Sequence, residues 1–363
     1  MQIRYQFEHE RRLRCGFVGA GGHSFRNIYP SLLYAPVDLR AVCDLDASRA
    51  AEYARMFGAG AVYSDHLEML RSEELDAVFL VTAYDQDGDV QATSIAEQCL
   101  RAGLNVWMEK PTASSLGGLE RLRAAERETG RFVMTGLKKM FTPAMEKVKS
   151  IITSEEFGFP TSLFVRYPQD LPPLEERNDP VRMLWFLDHI YHPAAILGFL
   201  GGPITRMSYE WEPRSGATVT NLLFASGAVG ALHLTAGQAG TSPLERVEVV
   251  GQGANVVVEN GVRVVYYRPG ADRGYGRESS FVVDDAVAPL LWEPEFSLGQ
   301  LYNKNLFYLG YVPEILHFCA NALAGTFPQK GTLADAARII VLYDAYRTTP
   351  PGVTVSLPTV TLD

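Results

Sequence analysis

The chain has 363 residues, a formal net charge of −9 and 47% hydrophobic residues. That length predicts two domains, the apolar share supports a sizeable core, and the acidic balance argues against a nucleic-acid partner. Four widely spaced cysteines (Cys15, Cys43, Cys99, Cys319) form no C-x-x-C pair, Met1–Arg14 lacks the apolar core of a secretory leader, and no apolar run approaches the ~18 residues of a membrane span. The expectation is a reduced, cytoplasmic protein with no membrane partner.

The first element is a short strand, Cys15–Val18, running into the turn Gly19-Ala20-Gly21-Gly22, with a helix expected over Asn27–Tyr34. Strand, glycine turn and helix are the parts of a dinucleotide site. Gly19 allows the sharp turn, Gly21 lets a pyrophosphate approach the backbone, and the helix start supplies N–H donors. The cofactor contacts are placed on Gly19, Gly21, Gly22, His23 and Ser24, with Ser24 standing where the third glycine of the fingerprint belongs. A glycine turn alone reads equally well as a structural turn.

Val37–Cys43 is the second predicted strand. It ends in Asp44-Leu45-Asp46 and precedes a helix, Ala47–Phe57, closed by Gly58. Asp44 lies near the spacing at which a carboxylate meets the adenosine ribose hydroxyls, which favours NAD over NADP. Arg49 could reverse that preference, so NADP stays open. Asp44 could instead be a helix N-cap, a role also open to Asp46 and Ser48.

A βαβ rhythm follows: strand Ala61–Tyr63, helix Asp65–Arg71, strand Ala77–Thr82, helix Asp89–Ala102, strand Asn105–Met108, helix Leu116–Glu128 and strand Arg131–Leu137. It predicts a parallel sheet covered on both faces, with ligand beyond the carboxyl ends of the strands. Thr82 and Glu109 fall at such strand ends and are assigned to the cofactor. Lys110, followed by Pro111 through a bond that could be cis, falls where the nicotinamide should lie. An ammonium there can polarise a carbonyl oxygen or favour an alkoxide. As a bare tripeptide, Glu-Lys-Pro is an ordinary surface turn.

The second half opens with a helix, Pro143–Thr153, and a strand, Thr161–Tyr167. Pro168–Pro180 holds four prolines and suits a loop over a cleft. Val181–Leu200 is helical in period, with Pro193 expected to strain or interrupt it. Asp188 and His192 lie one turn apart on one face; His189 need not point the same way. A histidine within reach of a hydroxyl can take its proton, and Asp188 could orient the ring or bind a substrate hydroxyl. The residues alone fit a buried core histidine better. A metal held by Asp188, His189 and His192 is disfavoured because no further ligand has matching spacing. From Ile204 onward short strands dominate: Ile204–Glu212, Ala217–Phe224, Val229–Thr235, Arg246–Val250, Asn255–Glu259 and Val262–Arg268, with Asn260-Gly261 as a hairpin signal. Tyr266 and Tyr267 fit core and interface equally. Arg268–Gly310 reads as loop, in which Tyr302, Asn303 and Lys304 could reach a substrate. Helices are expected at Val312–Leu323 and Leu333–Tyr346, the second capped by Thr332, and a last strand at Val353–Leu357.

These motifs together resemble the Gfo/Idh/MocA family, the glucose–fructose oxidoreductase and inositol dehydrogenase group. The pattern is the glycine turn Gly19–Ser24, Asp44 at the end of strand two, a Gly-x-x-Val-x-x-Glu-Lys-Pro segment ending at Pro111, the Asp188-x-x-x-His192 pair, and Leu200-Gly201-Gly202-Pro203. The resemblance implies an α/β chain: an N-terminal Rossmann NAD(P)-binding domain, residues 1–138, and a C-terminal α+β domain, residues 139–363, with a large, open, mainly antiparallel sheet. It implies a dehydrogenase or reductase for sugars, inositols and related polyols, with Lys110, His192 and Asp188 as catalytic residues and no metal. It also implies a homodimer or homotetramer. The alternatives are a lyase or hydrolase that oxidises its substrate transiently with bound NAD, and a non-catalytic dinucleotide or sugar sensor. The family often carries a proline, an asparagine and a histidine after the fourth strand. Here that loop is Ala83–Asp89, with the histidine position near Ala92. Lys138-Lys139-Met140 replaces an arginine-rich turn, and Ala195 stands where an aspartate is common.

Overall fold

The computed structural model describes residues 3–270, 285, 287–293 and 304–360. The first half builds a six-stranded parallel sheet: β1 (Leu13–Val18), β2 (Val37–Cys43), β3 (Ala61–Tyr63), β4 (Ala77–Leu80), β5 (Asn105–Glu109) and β6 (Val133–Gly136). Its order, β3-β2-β1-β4-β5-β6, is that of a doubly wound dinucleotide fold, with the reversal between β1 and β4. Strand β4 is buried at every position, as a central parallel strand covered on both faces must be.

The connecting helices are α1 (Tyr29–Leu32), α2 (Ala47–Phe57), α3 (His66–Ser72), α4 (Gln91–Arg101) and α5 (Leu116–Thr129). Several boundaries differ from expectation. The first helix starts at Gly22, not Asn27, and residues 24–28 form a π turn before α1. Extra backbone is absorbed there because Ser24 and Ile28 are buried and Arg26 faces out. Strand β4 stops at Leu80, which leaves Thr82 in the loop beyond it. Helix α4 starts at Gln91, because residues 85–89 fold into their own hydrogen-bonded turn.

The second half builds a nine-stranded sheet in the order β14-β13-β12-β11-β7-β10-β9-β8-β15. Its strands are β7 (Ser162–Tyr167), β8 (Ile204–Trp211), β9 (Thr218–Phe224), β10 (Val229–Leu234), β11 (Arg246–Val250), β12 (Asn255–Glu259), β13 (Arg263–Tyr267), β14 (Leu290–Trp292) and β15 (Val355–Ser356). Among the described residues of this sheet, β7 and β10 pair in parallel and the other neighbours pair antiparallel. Asn260 and Gly261 both have positive φ, and Val262 N–H donates to Glu259 O at 3.1 Å, so this turn is the expected hairpin. Leu290–Trp292, expected as loop, adds an edge strand to β13. Tyr266 points into the core and Tyr267 outward. Tyr302 and Asn303 lie outside the described residues.

Among the described residues five helices follow: α6 (Pro143–Ile152), α7 (Pro180–Gly201), α8 (Lys304–Tyr308), α9 (Tyr311–Ala324) and α10 (Leu333–Thr348). The expected interruption of α7 at Pro193 does not occur. The helix runs straight through it, with eleven of its residues buried, so packing offsets the one lost N–H bond. The loop of residues 168–179 includes a short turn, Leu174–Glu176, and is tied to the core by Arg177. That buried guanidinium donates to Pro172 O at 2.7 Å, Tyr346 O at 2.9 Å and the Tyr209 hydroxyl at 2.5 Å. Helices α6 and α7 cover one face of the large sheet, while α9 packs on β1 and β5 of the first sheet. Among the described residues, no helix is long and apolar enough to cross a membrane.

Candidate active site

The glycine turn is clamped between its neighbours. Gly19 N–H donates to Cys43 O at 2.8 Å, and Val81 N–H donates to Val18 O at 2.9 Å. Gly19 has φ 109°, and a Cβ there would lie 1.8 Å from Val81 O. A Cβ on Gly21 or Gly22 would meet no atom within 4 Å. The turn is thus tight on its inner side and bare on its outer side, a cradle that suits a diphosphate. Ser24 does not face that cradle. It is buried, and its hydroxyl donates to Gly21 O at 2.8 Å and Gly19 O at 3.2 Å, bracing the turn from within.

Asp44 closes the other end of the turn. Its Oδ2 accepts from Ala20 N–H at 2.7 Å, and its Oδ1 accepts from Asp46 N–H at 2.9 Å and Arg49 Nη2 at 2.7 Å. The cap of α2 is Asp46, which accepts from Ser48 and Arg49 N–H, so Asp44 is not the cap. Partial burial works against its charge, but the Arg49 and backbone bonds hold the carboxyl below the ordinary value. Thr82 supplies a further sign of a missing partner: its Oγ1 is sealed from solvent and makes no hydrogen bond among the described residues. A bare cradle, an ionised carboxylate beside it and an orphaned hydroxyl at the adjacent strand end fit a dinucleotide.

Beyond β5 the chain turns through a cis Lys110–Pro111 bond. Lys110, nearly buried, places Nζ 2.9 Å from Asp188 Oδ1 on α7. The Tyr84 hydroxyl donates to the same Oδ1 at 2.7 Å. On the other oxygen, Oδ2, His189 Nδ1 lies at 3.4 Å and also contacts Trp185 O at 3.1 Å. Burial disfavours the Asp188 charge, yet Lys110, Tyr84 and His189 together keep its carboxyl below the usual range. His192 lies one turn along, its ring 6.0 Å from that of Tyr167 and without a hydrogen-bond partner among the described residues. Burial, with Lys110, Lys138 and Lys139 nearby, pushes its imidazolium well below the ordinary histidine value, so the ring is neutral.

His23 turns from the glycine turn toward β5, where Nε2 meets Glu109 Oε1 at 2.9 Å. Asn27 Nδ2 lies 3.3 Å from His23 Nδ1, so the ring donates to Glu109 and accepts from Asn27. Burial opposes ionisation of Glu109, but His23 and Lys110 hold its carboxyl below the ordinary value. A cavity of about 250 Å³ gathers His23, Thr82, Tyr84, Glu109, Lys110 and Asp188. Behind it, Lys138 donates to the Tyr311 hydroxyl at 2.6 Å, and burial lowers its pKa to about 8. Glu314 is fully buried, with no side-chain hydrogen-bond partner for its carboxyl oxygens among the described residues, and burial raises its pKa well above the usual range. Sequence reasoning missed Tyr84, Lys138 and Glu314 as parts of this neighbourhood. Two departures from the family pattern were the available signals, the altered loop Ala83–Asp89 that holds Tyr84 and the Lys138-Lys139-Met140 turn, and neither gave its residue a place at the site.

Residues 13–137 match the profile of an oxidoreductase family with an NAD-binding Rossmann fold, Gfo/Idh/MocA. That match covers the six-stranded parallel sheet and identifies residues 13–137 as an NAD-binding Rossmann domain similar to that of the Gfo/Idh/MocA oxidoreductases. Family members bind NAD through this domain, and relatives are named dehydrogenases and oxidoreductases. The chain is 24% identical over 263 residues to the uncharacterized oxidoreductase YrbE of Bacillus subtilis, covering 69% of this chain and 74% of that one. It is 31% identical over 156 residues to the inositol 2-dehydrogenase of Acidothermus cellulolyticus, covering 42% of this chain and 43% of that enzyme. The chain thus spans less than half the length of that curated relative. Levoglucosan dehydrogenase, crystallised with NADH and L-sorbose, shares the fold at a TM-score of 0.74 and 18% identity, covering 96% of this chain and all of that one (100%). Among the described residues there is no group of three His, Cys, Asp or Glu side chains able to hold a metal.

Proposed function

We propose that this chain transfers a hydride between NAD(P) and a hydroxyl or carbonyl carbon of a sugar, inositol or related polyol. The observation that carries the reading is the Lys110–Asp188 pair, 2.9 Å long, which joins the end of β5 to the helix bearing His192. Bound nicotinamide would accept or return the hydride. The Gly19–Gly22 turn and Thr82 would hold the dinucleotide, with Asp44 at the ribose. Lys110 keeps two further N–H donors after its bond to Asp188, and these can polarise the reacting oxygen. His192, neutral and unpartnered, can take the proton that a hydroxyl must lose when its carbon is oxidised. Asp188 holds the ammonium in place. The inositol in one relative's name and the L-sorbose bound by a structural neighbour support a polyol substrate.

The test is turnover of a sugar and inositol panel with NAD and NADP, read by nicotinamide absorbance. Lys110→Met should lower kcat by about a hundredfold or more while leaving NADH affinity within a few-fold. An unchanged kcat, or no NADH binding to the parent chain, would overturn the reading.

We also propose that the uncovered face of the nine-stranded sheet joins copies of the chain into a homodimer or homotetramer. Val219 and Val229 are exposed there beside a broad hollow of about 780 Å³. Sedimentation velocity showing only monomer would remove that proposal.

A further inference from the structure

We propose that Tyr84 is a positioning residue of this site, holding the Asp188 carboxylate against Lys110 through its phenolic hydrogen. The inference deepens the hydride-transfer reading and rests on it. Two groups from the first sheet, Lys110 at the end of β5 and Tyr84 in the loop after β4, converge on one oxygen of a carboxylate carried by α7. A carboxylate oxygen that accepted from Lys110 alone could swing, and the ammonium would follow it. A second short bond from a stiff aromatic side chain removes that freedom.

The loop that carries Tyr84 is itself fixed. Asp85 Oδ1 accepts from Asp87 N–H at 3.0 Å and Asp89 N–H at 2.7 Å. Asp85 N–H donates to Asp89 O at 3.0 Å, and Asp89 Oδ1 accepts from the Ser114 hydroxyl at 2.5 Å. Tyr84 pairs with Val90 in an isolated antiparallel bridge. Gly88, with φ 81°, sits so close to the start of α7 that a Cβ would lie 3.2 Å from the Pro180 carbonyl carbon. The loop therefore touches α7 twice, at its first residue through Gly88 and at Asp188 through Tyr84. It spans the cleft and sets the distance between the two domains where the lysine meets the carboxylate.

The hydroxyl can only donate here. Burial and the Asp188 charge raise the phenol well above its ordinary value, so it stays protonated. The other titratable groups that act on Asp188 are Lys110, His189 on its own helix and Tyr167 on β7. None of these is lost when Tyr84 loses its hydroxyl.

The experiment is a carbon-13 NMR titration of the aspartate carboxyls in the full chain, with the Asp188 signal identified by its absence in Asp188→Asn. In Tyr84→Phe the Asp188 midpoint should rise by about one pH unit, the worth of a lost bond to a charged acceptor. Gly88→Ala, which pushes the loop off Pro180 but keeps the phenol, should move it the same way by less. With a turned-over polyol, Tyr84→Phe should cut kcat about tenfold, leave the KM for NAD unchanged and move the acid limb of the rate profile upward. An Asp188 midpoint in Tyr84→Phe equal to the parent's overturns the proposal, whether or not the chain turns over any polyol. Loss of all turnover in the parent chain, with the midpoint shift intact, would sink the hydride-transfer reading and leave the positioning role standing.

Discussion

The sharpest quantitative consequence of the site concerns its glycines. Gly19 and Gly21 are two residues apart, yet alanine should act on them through different physics. At Gly19 the new Cβ would lie 1.8 Å from Val81 O, more than an ångström inside contact distance, with the backbone at φ 109°. The backbone conformation alone costs about 1–3 kcal/mol for a residue with a Cβ. Relief of the clash means parting Val81 from Val18 or Gly19 from Cys43, each a backbone hydrogen bond worth about 1 kcal/mol. Gly19→Ala should therefore lose about 2–4 kcal/mol of stability. At Gly21 the Cβ meets nothing within 4 Å, so Gly21→Ala should stay near the parent or gain a few tenths through the unfolded chain. The order reverses for the cofactor, because the Gly21 Cβ points into the proposed diphosphate cradle. NADH affinity should fall at least tenfold, about 1.4 kcal/mol, in Gly21→Ala. Urea unfolding of the unliganded protein and fluorescence titration with NADH measure the two quantities separately. A Gly19→Ala protein as stable as the parent, or a Gly21→Ala protein that binds NADH equally well, would refute the geometry of the turn.

Three further outcomes follow from the titrating and orphaned groups. His192 has a folded value below its unfolded value, so the unfolded chain takes up the proton first and stability is lost as pH falls below about 6.5. His192→Asn should flatten that loss, and the acid limb of kcat/KM attributable to this ring should lie below the ordinary histidine range; a limb above pH ~6.5 contradicts a neutral base. Glu314 runs the other way: its folded value is raised, so its stability contribution is lost as pH rises past the unfolded value near 4.3. Glu314→Gln should raise the melting temperature at pH 8 more than at pH 5, and equal shifts at both would show that the carboxyl is not held protonated. Thr82→Val removes a sealed hydroxyl with no partner among the described residues, so it should cost less than about 0.5 kcal/mol in unfolding but several-fold in NADH affinity. Unchanged affinity would mean that the hydroxyl does not face the cofactor.

Much of this protein is written in short stretches. Cys15–Val18 followed by glycines, Asp44 at the end of β2, and Thr332 ahead of α10 are local signals, because turns, caps and alternating burial are decided within a few residues. The parallel sheet and its order follow from that rhythm, since right-handed crossovers leave few other arrangements. Lys110 and the Asp188–His192 pair could likewise be named from motif and spacing. Other features were beyond reach. Pro193 lies inside an unbroken helix because neighbours packed from distant segments offset its missing bond. Ser24 faces inward, and Asp46 rather than Asp44 caps α2, because short polar side chains settle on whichever backbone group the turn presents. Glu314 is buried, with its carboxyl pushed toward the neutral form, because α9 returns to cover the first sheet. Tyr84 and Asp188 are 104 residues apart. No pattern in either stretch encodes their meeting, since a contact between domains depends on where two separately folded surfaces come to rest. The chain alone determined the scaffold and singled out the ammonium, carboxylate and imidazole as candidates. Only the tertiary structure decided that the ammonium pairs with the carboxylate and that Tyr84 joins them, because burial and charge pairing are properties of the assembled neighbourhood and not of any one segment.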